Sequence, residues 1–158
     1  MELDTEITQP DDTSLAVSCS LPAPIERVWA ATVEAAWLER WMTGPAGWSL
    51  VVERNEPRTG GALRFVWSGA DGTSMAMSGR YIAFDPPTHV AHTELYDQDW
   101  HDGEARVTTD LSSIAGGTRA TLTIRYSSQA CRDRVFGNVA PAVAEGYARL
   151  AALLSTGR

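Results

Sequence analysis

The residues best suited to chemistry in this sequence are a histidine and a glutamate two positions apart, His92 and Glu94, together with Tyr81. Side chains two apart on a strand point to the same face, so His92 and Glu94 would project together. In a mostly apolar pocket this pair could orient a carbonyl or hydroxyl group of a ligand, or act as general base and acid on an enolisable substrate. A hydrogen-bonded pair near the open end of a sheet, with no role beyond solubility, is the third interpretation.

The direction of this pair depends on how two strands pair across the turn at Pro86-Pro87. If Asp85 opposes Val90, then Ala83 opposes His92 and Tyr81 opposes Glu94, and opposed residues share a face. This register places the pair in the interior. A slip of one residue would turn both side chains to solvent.

A second polar cluster lies in the segment Asp97-Gln98-Asp99-Trp100-His101-Asp102. Three carboxylates and an imidazole are typical metal ligands, but their spacing fits no known motif, so a solvated acidic turn is predicted. Trp100 is a large apolar residue at the tip of this loop. It could cover the mouth of a cavity or form a dimer contact.

Several kinds of chemistry are absent from the sequence pattern. There is no phosphate-binding glycine loop, nucleophile elbow or zinc signature, so no cofactor, metal or individual catalytic residue is assigned. All thirteen basic residues are Arg, which excludes a lysine Schiff base. Cys19 and Cys131 lie far apart in the sequence; two reduced, half-buried thiols are predicted, with a disulfide as the alternative.

The composition excludes further classes of protein. A net charge of -7 disfavours nucleic acid and anionic membrane surfaces as partners. No apolar run approaches the roughly 20 residues of a spanning helix, and the acidic, polar start does not resemble a signal peptide. These features predict a cytoplasmic protein, and the bias toward Arg and Ala is typical of bacteria with GC-rich genomes.

Periodicity defines the elements that would position these residues. Thr13 to Leu21 reads as an opening strand, followed by two short helices that start at Ile25 and at Glu34. The period then changes to two, and tight turns separate six strands: Trp48 to Arg54, Gly61 to Trp67, Thr73 to Phe84, His89 to Tyr96, Glu104 to Leu111 and Arg119 to Tyr126. Six such strands in succession predict an antiparallel meander.

The last segment, Gln129 to Leu154, has helical periodicity, and Pro141 within it predicts a kink or a break. Only this helix is long enough to cover the apolar face of a curved sheet. The prediction is therefore a two-layer α+β fold, a single domain over residues 13–158 after a flexible segment over residues 1–12 that could in part extend the first strand.

Space left between the helix and the sheet would form a pocket for a small apolar or amphipathic molecule. Strand alternation and the helix stripe predict which side chains line it. The predicted ligand-binding residues are Phe65, Trp67, Met75, Met77, Tyr81, His92, Glu94, Val107, Thr109, Leu122, Val139, Val143 and Tyr147. The two methionines and the large aromatic residues fit an ordinary core equally well.

Several short motifs occur in a characteristic order between Leu21 and Leu154. They are Pro24-Ile25-Glu26-Arg27-Val28-Trp29, Trp41 with Gly44-Pro45, Gly60-Gly61, Gly79-Arg80-Tyr81 with Asp85-Pro86-Pro87, Gly116-Gly117-Thr118, and Glu145-Gly146-Tyr147 with Leu150 and Leu153. In this order the chain resembles the SRPBCC superfamily (START-like, birch-pollen-allergen-like). Within it, the chain is similar to the group of homologues of the activator of the heat-shock-protein-90 ATPase.

The resemblance implies a helix-grip fold, in which a curved antiparallel sheet wraps around a long C-terminal helix and encloses a hydrophobic cavity. It does not imply one activity, since the superfamily includes lipid carriers, polyketide cyclases, hormone receptors and members of unknown role. Two departures stand out: Tyr147 replaces a frequent Trp, and His92 and Glu94 replace apolar or aromatic residues.

Three functions are consistent with the sequence. The first is binding of a small hydrophobic or amphipathic ligand. The second is a cyclase, dehydratase or hydrolase acting on a polyketide- or lipid-like substrate. The third is a co-chaperone-like interaction module, which predicts a filled core without a cavity. A homodimer is possible with each of them, because edge strands need protection.

Overall fold

The computed structural model describes residues 4–156, which form an eight-stranded antiparallel sheet and three helices. The strands are β1 (Glu6–Thr8), β2 (Ser14–Leu21), β3 (Ser49–Asn55), β4 (Ala62–Ser68), β5 (Ser74–Asp85), β6 (His89–Tyr96), β7 (Ala105–Ile114) and β8 (Gly117–Arg125). The helices are α1 (Ile25–Val33), α2 (Ala35–Trp41) and α3 (Gln129–Ser155). The predicted α+β fold, with a meander and a long C-terminal helix, is confirmed.

The sheet has the order β1-β2-β8-β7-β6-β5-β4-β3, so the meander is continued by the N-terminal strand at its far side. Antiparallel neighbours need only short turns, which explains why consecutive strands of the meander are also adjacent in space. Burial alternates strictly along β8, where Ala120, Leu122 and Ile124 are buried and the threonines between them are half-buried. This alternation gives the sheet one apolar face, which α3 covers.

The helix α3 begins at a side-chain cap and continues without interruption to Ser155. The Ser128 hydroxyl accepts a hydrogen bond from the backbone N–H of Cys131 at 3.1 Å, which satisfies one of the free donors of the first turn. The predicted break at Pro141 does not occur. Pro141 is exposed, as is Gly137 four residues earlier, so water can reach the carbonyl that has lost its helical donor.

The pairing of β5 with β6 differs from the prediction by one residue at the turn. Asp85 pairs with His89 rather than with Val90, so the loop is one residue shorter than expected. Ile82 is the extra residue of a bulge and is 38% exposed. Beyond the bulge Tyr81 opposes His92, so the inward face is kept although the predicted partners were wrong.

The bulge also changes which residue of β5 faces the interior near the turn. The prediction placed Ala83 inward, whereas Phe84 packs there against Trp29 of α1, with ring centroids 5.2 Å apart. A bulge reverses the alternation on one side of it, because two residues of one strand oppose a single residue of the other. Periodicity alone could not place it.

The N-terminal region lies along the outer side of β2. Within residues 1–12, for which the sequence predicts a flexible segment, Glu6–Thr8 form β1 and pair with β2, while residues 1–3 lie outside the described residues.

Cys19 and Cys131 are free thiols and are fully buried rather than half-buried, and burial raises the pKa of Cys19 to about 11. In the part of the chain described, no helix is long and apolar enough to cross a membrane.

Candidate functional site

A cavity of about 410 Å³ lies between the inner face of the sheet and α3. Strands β4 to β8 supply one wall, α3 supplies the opposite wall, and the end of α2 with the following residues supplies a third side. Small-molecule sites usually have volumes of roughly 300–1,000 Å³. The cavity is therefore large enough for a compact organic molecule.

The structure brings most of the predicted pocket residues together. The predicted residues that line the cavity are Phe65, Trp67, Met75, Tyr81, His92, Glu94, Val107, Thr109, Leu122, Val139, Val143 and Tyr147. Met77 is the exception, since it is completely buried in the core instead of at the cavity wall. Its neighbour on the same strand face, Met75, occupies the wall.

Other lining residues were not predicted as part of the site. They include Trp41, Trp48, Leu63, Val90, Tyr96, His101, Ile124, Tyr126, Asn138, Ala142 and Arg149. Strand alternation provided a signal for Tyr96, which shares a face with His92 and Glu94, and for Ile124 and Tyr126, which share one with Leu122. The sequence carries no comparable signal for His101, because it lies outside the predicted periodic elements. Trp48 was predicted as the first residue of a strand but lies just before β3 (Ser49–Asn55).

The large aromatic residues of the cavity present ring faces rather than polar atoms. Trp41 stacks on Tyr147 with ring centroids 5.6 Å apart, and its indole N–H donates to the carbonyl of Ala31 at 2.8 Å. Likewise, the indole N–H of Trp67 donates to the carbonyl of Met42 at 2.9 Å. Because the backbone already binds these N–H groups, both indoles contribute apolar surface to the cavity.

His92 and Glu94 form a hydrogen-bonded pair at the cavity wall. Their Nε2 and Oε2 atoms are 3.0 Å apart, and their side chains are 17% and 18% exposed. On the adjacent strand β7, the buried Val107 lies opposite His92 and the buried Ala105 lies opposite Glu94. A polar pair in such apolar surroundings can exchange hydrogen bonds with a guest molecule.

Tyr81 lines the cavity, but its hydroxyl does not join this pair. The hydroxyl donates to Oδ1 of Asn55, and the amide of Asn55 donates to the carbonyl of Val33 at 2.8 Å. Burial raises the pKa of Tyr81 to about 12, so the phenol stays protonated near neutral pH. The predicted three-residue cluster is therefore reduced to His92 and Glu94, because Asn55 on a neighbouring part of the sheet competes for the hydroxyl.

Two further tyrosines, Tyr96 and Tyr126, extend the wall beyond Glu94. Burial, together with the nearby negative charge of Glu94, raises the pKa of each phenol above its usual value. Both side chains are therefore neutral at physiological pH. The ring of Tyr96 also stacks on Trp67, with centroids 6.1 Å apart, which continues the aromatic surface from β4 to β6.

The mouth of the cavity is marked by the lining residues that are exposed: Pro45, Trp100, Asn138 and Ala142. Trp100 thus lies at the opening; its two predicted roles, as a cover of the mouth or as a dimer contact, stay predictions. On the α2 side, Arg149 donates hydrogen bonds to the carbonyls of Trp41 at 3.1 Å and Gly44 at 2.9 Å. These bonds hold the segment after α2 against α3.

The carboxylates of the acidic loop are engaged with other partners. Asp97 binds Arg64 at 2.8 Å, Asp99 accepts from the backbone N–H of Gly103 at 2.6 Å, and Asp102 binds Arg134 at 3.0 Å. Within residues 4–156, no group of three or more His, Cys, Asp or Glu side chains could hold a metal ion. The loop is therefore organised by ion pairs and turn hydrogen bonds.

Comparison with known proteins adds the following similarities. Residues 22–155 match the model of the family described as activator of Hsp90 ATPase homolog 1-like protein. A crystal structure of a protein from Rhodobacter sphaeroides is 33% identical, covers 96% of this chain and 98% of its own, and superposes with a TM-score of 0.89. Comparison with proteins of curated function yields no match.

Two more distant structures share the fold. A crystal structure from Mycobacterium smegmatis is 23% identical and covers 99% of this chain and 100% of its own, with a TM-score of 0.86. A solution structure from Arthrobacter aurescens is 22% identical and covers 96% of this chain and 91% of its own, also with a TM-score of 0.86.

Proposed function

Because this chain belongs to the family of activator of Hsp90 ATPase homolog 1-like proteins, in which its sheet-and-helix fold recurs, we propose that its cavity binds a small, largely apolar molecule. The observation that carries the proposal is the cavity itself, about 410 Å³ in volume and lined mainly by aromatic and aliphatic side chains. The side chains around a cavity of this size have fewer dispersion contacts with one another than those of a packed core. A guest would restore those contacts and bury apolar surface.

The few polar groups at the wall support selectivity as well as binding. His92 and Glu94 are held together at 3.0 Å and sit among apolar neighbours. A site of this kind typically uses its apolar surface for affinity and a small number of polar groups for orientation. The cytoplasmic location and the homodimer remain predictions from the sequence.

The binding function predicts that the neutral fluorescent probe N-phenyl-1-naphthylamine binds the folded protein with a Kd in the micromolar range. Probe emission should increase and saturate, and naphthalene should displace the probe. At a ligand concentration of ten times Kd, the Tm should rise by about 3–6 °C, since only the folded state binds. Protein unfolded in urea serves as the control. A panel of such probes, fatty acids and aromatic polyketides that neither binds nor shifts Tm would contradict the proposal.

A second candidate, catalysis on an enolisable molecule, is favoured by the His92–Glu94 pair alone. In this mechanism one group removes a proton next to a carbonyl and a proton from solvent later replaces it. We expect the wild-type protein to accelerate deuterium exchange at the α-carbon of 2-tetralone in D₂O, followed by proton NMR. The double variant His92→Phe, Glu94→Gln should lose about 100-fold or more of this acceleration. Equal rates in both proteins would eliminate this candidate and leave the binding function intact.

The third hypothesis, a protein-interaction module, has less support. The family description refers to an activator of the Hsp90 ATPase, which acts on another protein. A module of that kind was expected to have a filled interior. The cavity between sheet and helix does not agree with that expectation.

A further inference from the structure

The loop between β6 and β7 inserts one histidine into the cavity wall. His101 is only 2% exposed, and it lines the cavity. Neither of its ring nitrogens has a hydrogen-bond partner among the described residues. About nine in ten buried polar groups in proteins are hydrogen-bonded to another protein group or to ordered water, so the imidazole needs a partner from outside these residues.

Hydrogen bonds fasten the loop backbone to the start of α3, and they fix the position of His101. The thiol of Cys131 donates to the carbonyl of His101 at 3.1 Å. The backbone carbonyls on either side of His101 are also bound. Arg134 donates to the carbonyl of Trp100 at 3.0 Å, and the hydroxyl of Ser127 donates to the backbone carbonyl of Asp102 at 2.9 Å. Three successive carbonyls are therefore held by α3 and the residues just before it.

Aromatic rings surround the imidazole of His101, and no polar group of the described residues bonds to its nitrogens. Its ring centroid lies 4.6 Å from that of Trp100, 5.0 Å from that of Tyr96 and 5.7 Å from that of Tyr126. The two tyrosines are also the residues whose phenols feel the charge of Glu94. His101 and Glu94 therefore lie at the same end of the cavity.

We infer that His101 is the hydrogen-bonding anchor for a hydroxyl group on a planar, ring-containing ligand. The inference rests on the proposed binding function and names the chemical class of its ligand. The flat aromatic faces of Trp100, Tyr96 and Tyr126 select a ring. The unpartnered nitrogens of His101 select a polar group on that ring.

A hydroxyl fits the site better than a carboxylate. A neutral imidazole has one donor and one acceptor nitrogen, and a hydroxyl can both accept and donate. A carboxylate can only accept, and its charge would share the cavity with that of Glu94. Like charges brought together in an apolar site repel each other.

The test compares 2-naphthol, naphthalene and 2-naphthoate at pH 7 by isothermal titration calorimetry. The wild-type protein should bind 2-naphthol about tenfold more tightly than naphthalene, since one buried hydrogen-bonded group contributes that much. His101→Phe keeps an aromatic ring but removes both nitrogens, and the preference should fall to within about twofold. The matched control is His89→Gln, because His89 is bound to Asp110 on the sheet surface and does not line the cavity. This control should keep the wild-type preference.

A second measurement guards against a folding defect in the variant. Removing an unsatisfied buried polar group should raise the Tm of the ligand-free His101→Phe protein by about 2–6 °C. A lower Tm would mean that the imidazole already has a partner, such as a bound water, and would overturn the inference. So would a wild-type protein that binds all three probes equally, a tighter complex with 2-naphthoate, or a preference that survives in His101→Phe. In these cases naphthalene still binds and the proposed function stands, whereas failure of every probe to bind would overturn both.

Discussion

Replacing Leu122 by Trp should weaken binding of N-phenyl-1-naphthylamine by more than about tenfold while the protein stays folded. Leu122 is 8% exposed and lies on β8, with Val17 and Thr109 as its neighbours on the adjacent strands. Its side chain lines the cavity, so the larger indole would extend into the cavity. The guest and the indole would then compete for the same volume.

The physical reason lies in the difference between a cavity and a packed core. Enlarging a side chain in a filled interior costs about 1–3 kcal/mol, because neighbours must leave their preferred rotamers. Here the added atoms occupy a space of about 410 Å³ and gain contacts instead. We therefore expect the Tm of Leu122→Trp to be unchanged or higher than that of the wild type.

The control for this prediction is Ile114→Trp. Ile114 ends β7, is 42% exposed and does not line the cavity, so the variant carries the same new side chain without obstructing the site. Its affinity for the probe should remain within about twofold of the wild-type value. Probe affinity that is equal in the two variants would place the binding site elsewhere on the molecule.

Replacing Arg132 by Met should lower the free energy of unfolding by about 2–4 kcal/mol. This is the largest loss of stability that we expect from removing the hydrogen bonds of one polar side chain. Arg132 lies in the first turns of α3 and is 4% exposed. Its Nη1 donates to the carbonyls of Asp11 at 2.8 Å and Ser14 at 2.6 Å. The guanidinium thus joins α3 to the start of β2.

Methionine retains the length of the aliphatic stem but offers no donor to these carbonyls. Charge-assisted hydrogen bonds contribute about 1.5–3 kcal/mol each, and the variant loses two to the backbone. Removing a buried charge offsets part of this loss. Asp133, which accepts from Nε of Arg132 at 2.8 Å, is exposed and can be hydrated instead.

Urea unfolding followed by far-ultraviolet circular dichroism measures this loss directly. Arg132→Lys should be intermediate, because an ammonium keeps the charge but not the geometry of the guanidinium. The control is Arg125→Met at the exposed end of β8, where we expect a change within about 0.5 kcal/mol. Equal stability of the Arg132 and Arg125 variants would show that the joint between α3 and β2 is not important for stability.

Much of the fold could be predicted because local periodicity reports burial directly. Alternation along β8 and the tight turn at Gly116-Gly117 lie within a few consecutive residues, and the structure confirms both. The pairing at the β5–β6 turn could not be predicted in this way. A loop shorter by one residue and a bulge at Ile82 together shift the pairing of Tyr81 by two residues, which keeps the predicted face, and neither leaves a mark in the hydrophobic pattern.

The candidate site shows the same division between local and distant information. Strand alternation placed Leu122 at the cavity, and the assumed pairing across the Pro86-Pro87 turn placed His92 and Glu94 there. All three line the cavity in the structure, although the assumed pairing was wrong. The hydroxyl of Tyr81 was expected beside the acid–base pair but binds Asn55, which lies 26 residues away in the sequence. A hydrogen bond between distant residues depends on which strands are neighbours in the sheet. The local hydrophobic pattern holds no information about that arrangement.

The sequence by itself determined the order of elements from β2 to α3, the apolar face of these strands outside the bulge in β5, and the identity of the helix that covers them, because these properties follow from side-chain period within single segments. Only the tertiary structure decided that the helix leaves a hollow of about 410 Å³, and that a loop histidine is held at its wall with no hydrogen-bond partner among residues 4–156. Both depend on the distance between two packed layers and on a loop fastened to a helix from another part of the chain. Distances of this kind are set by the packing of all the side chains together.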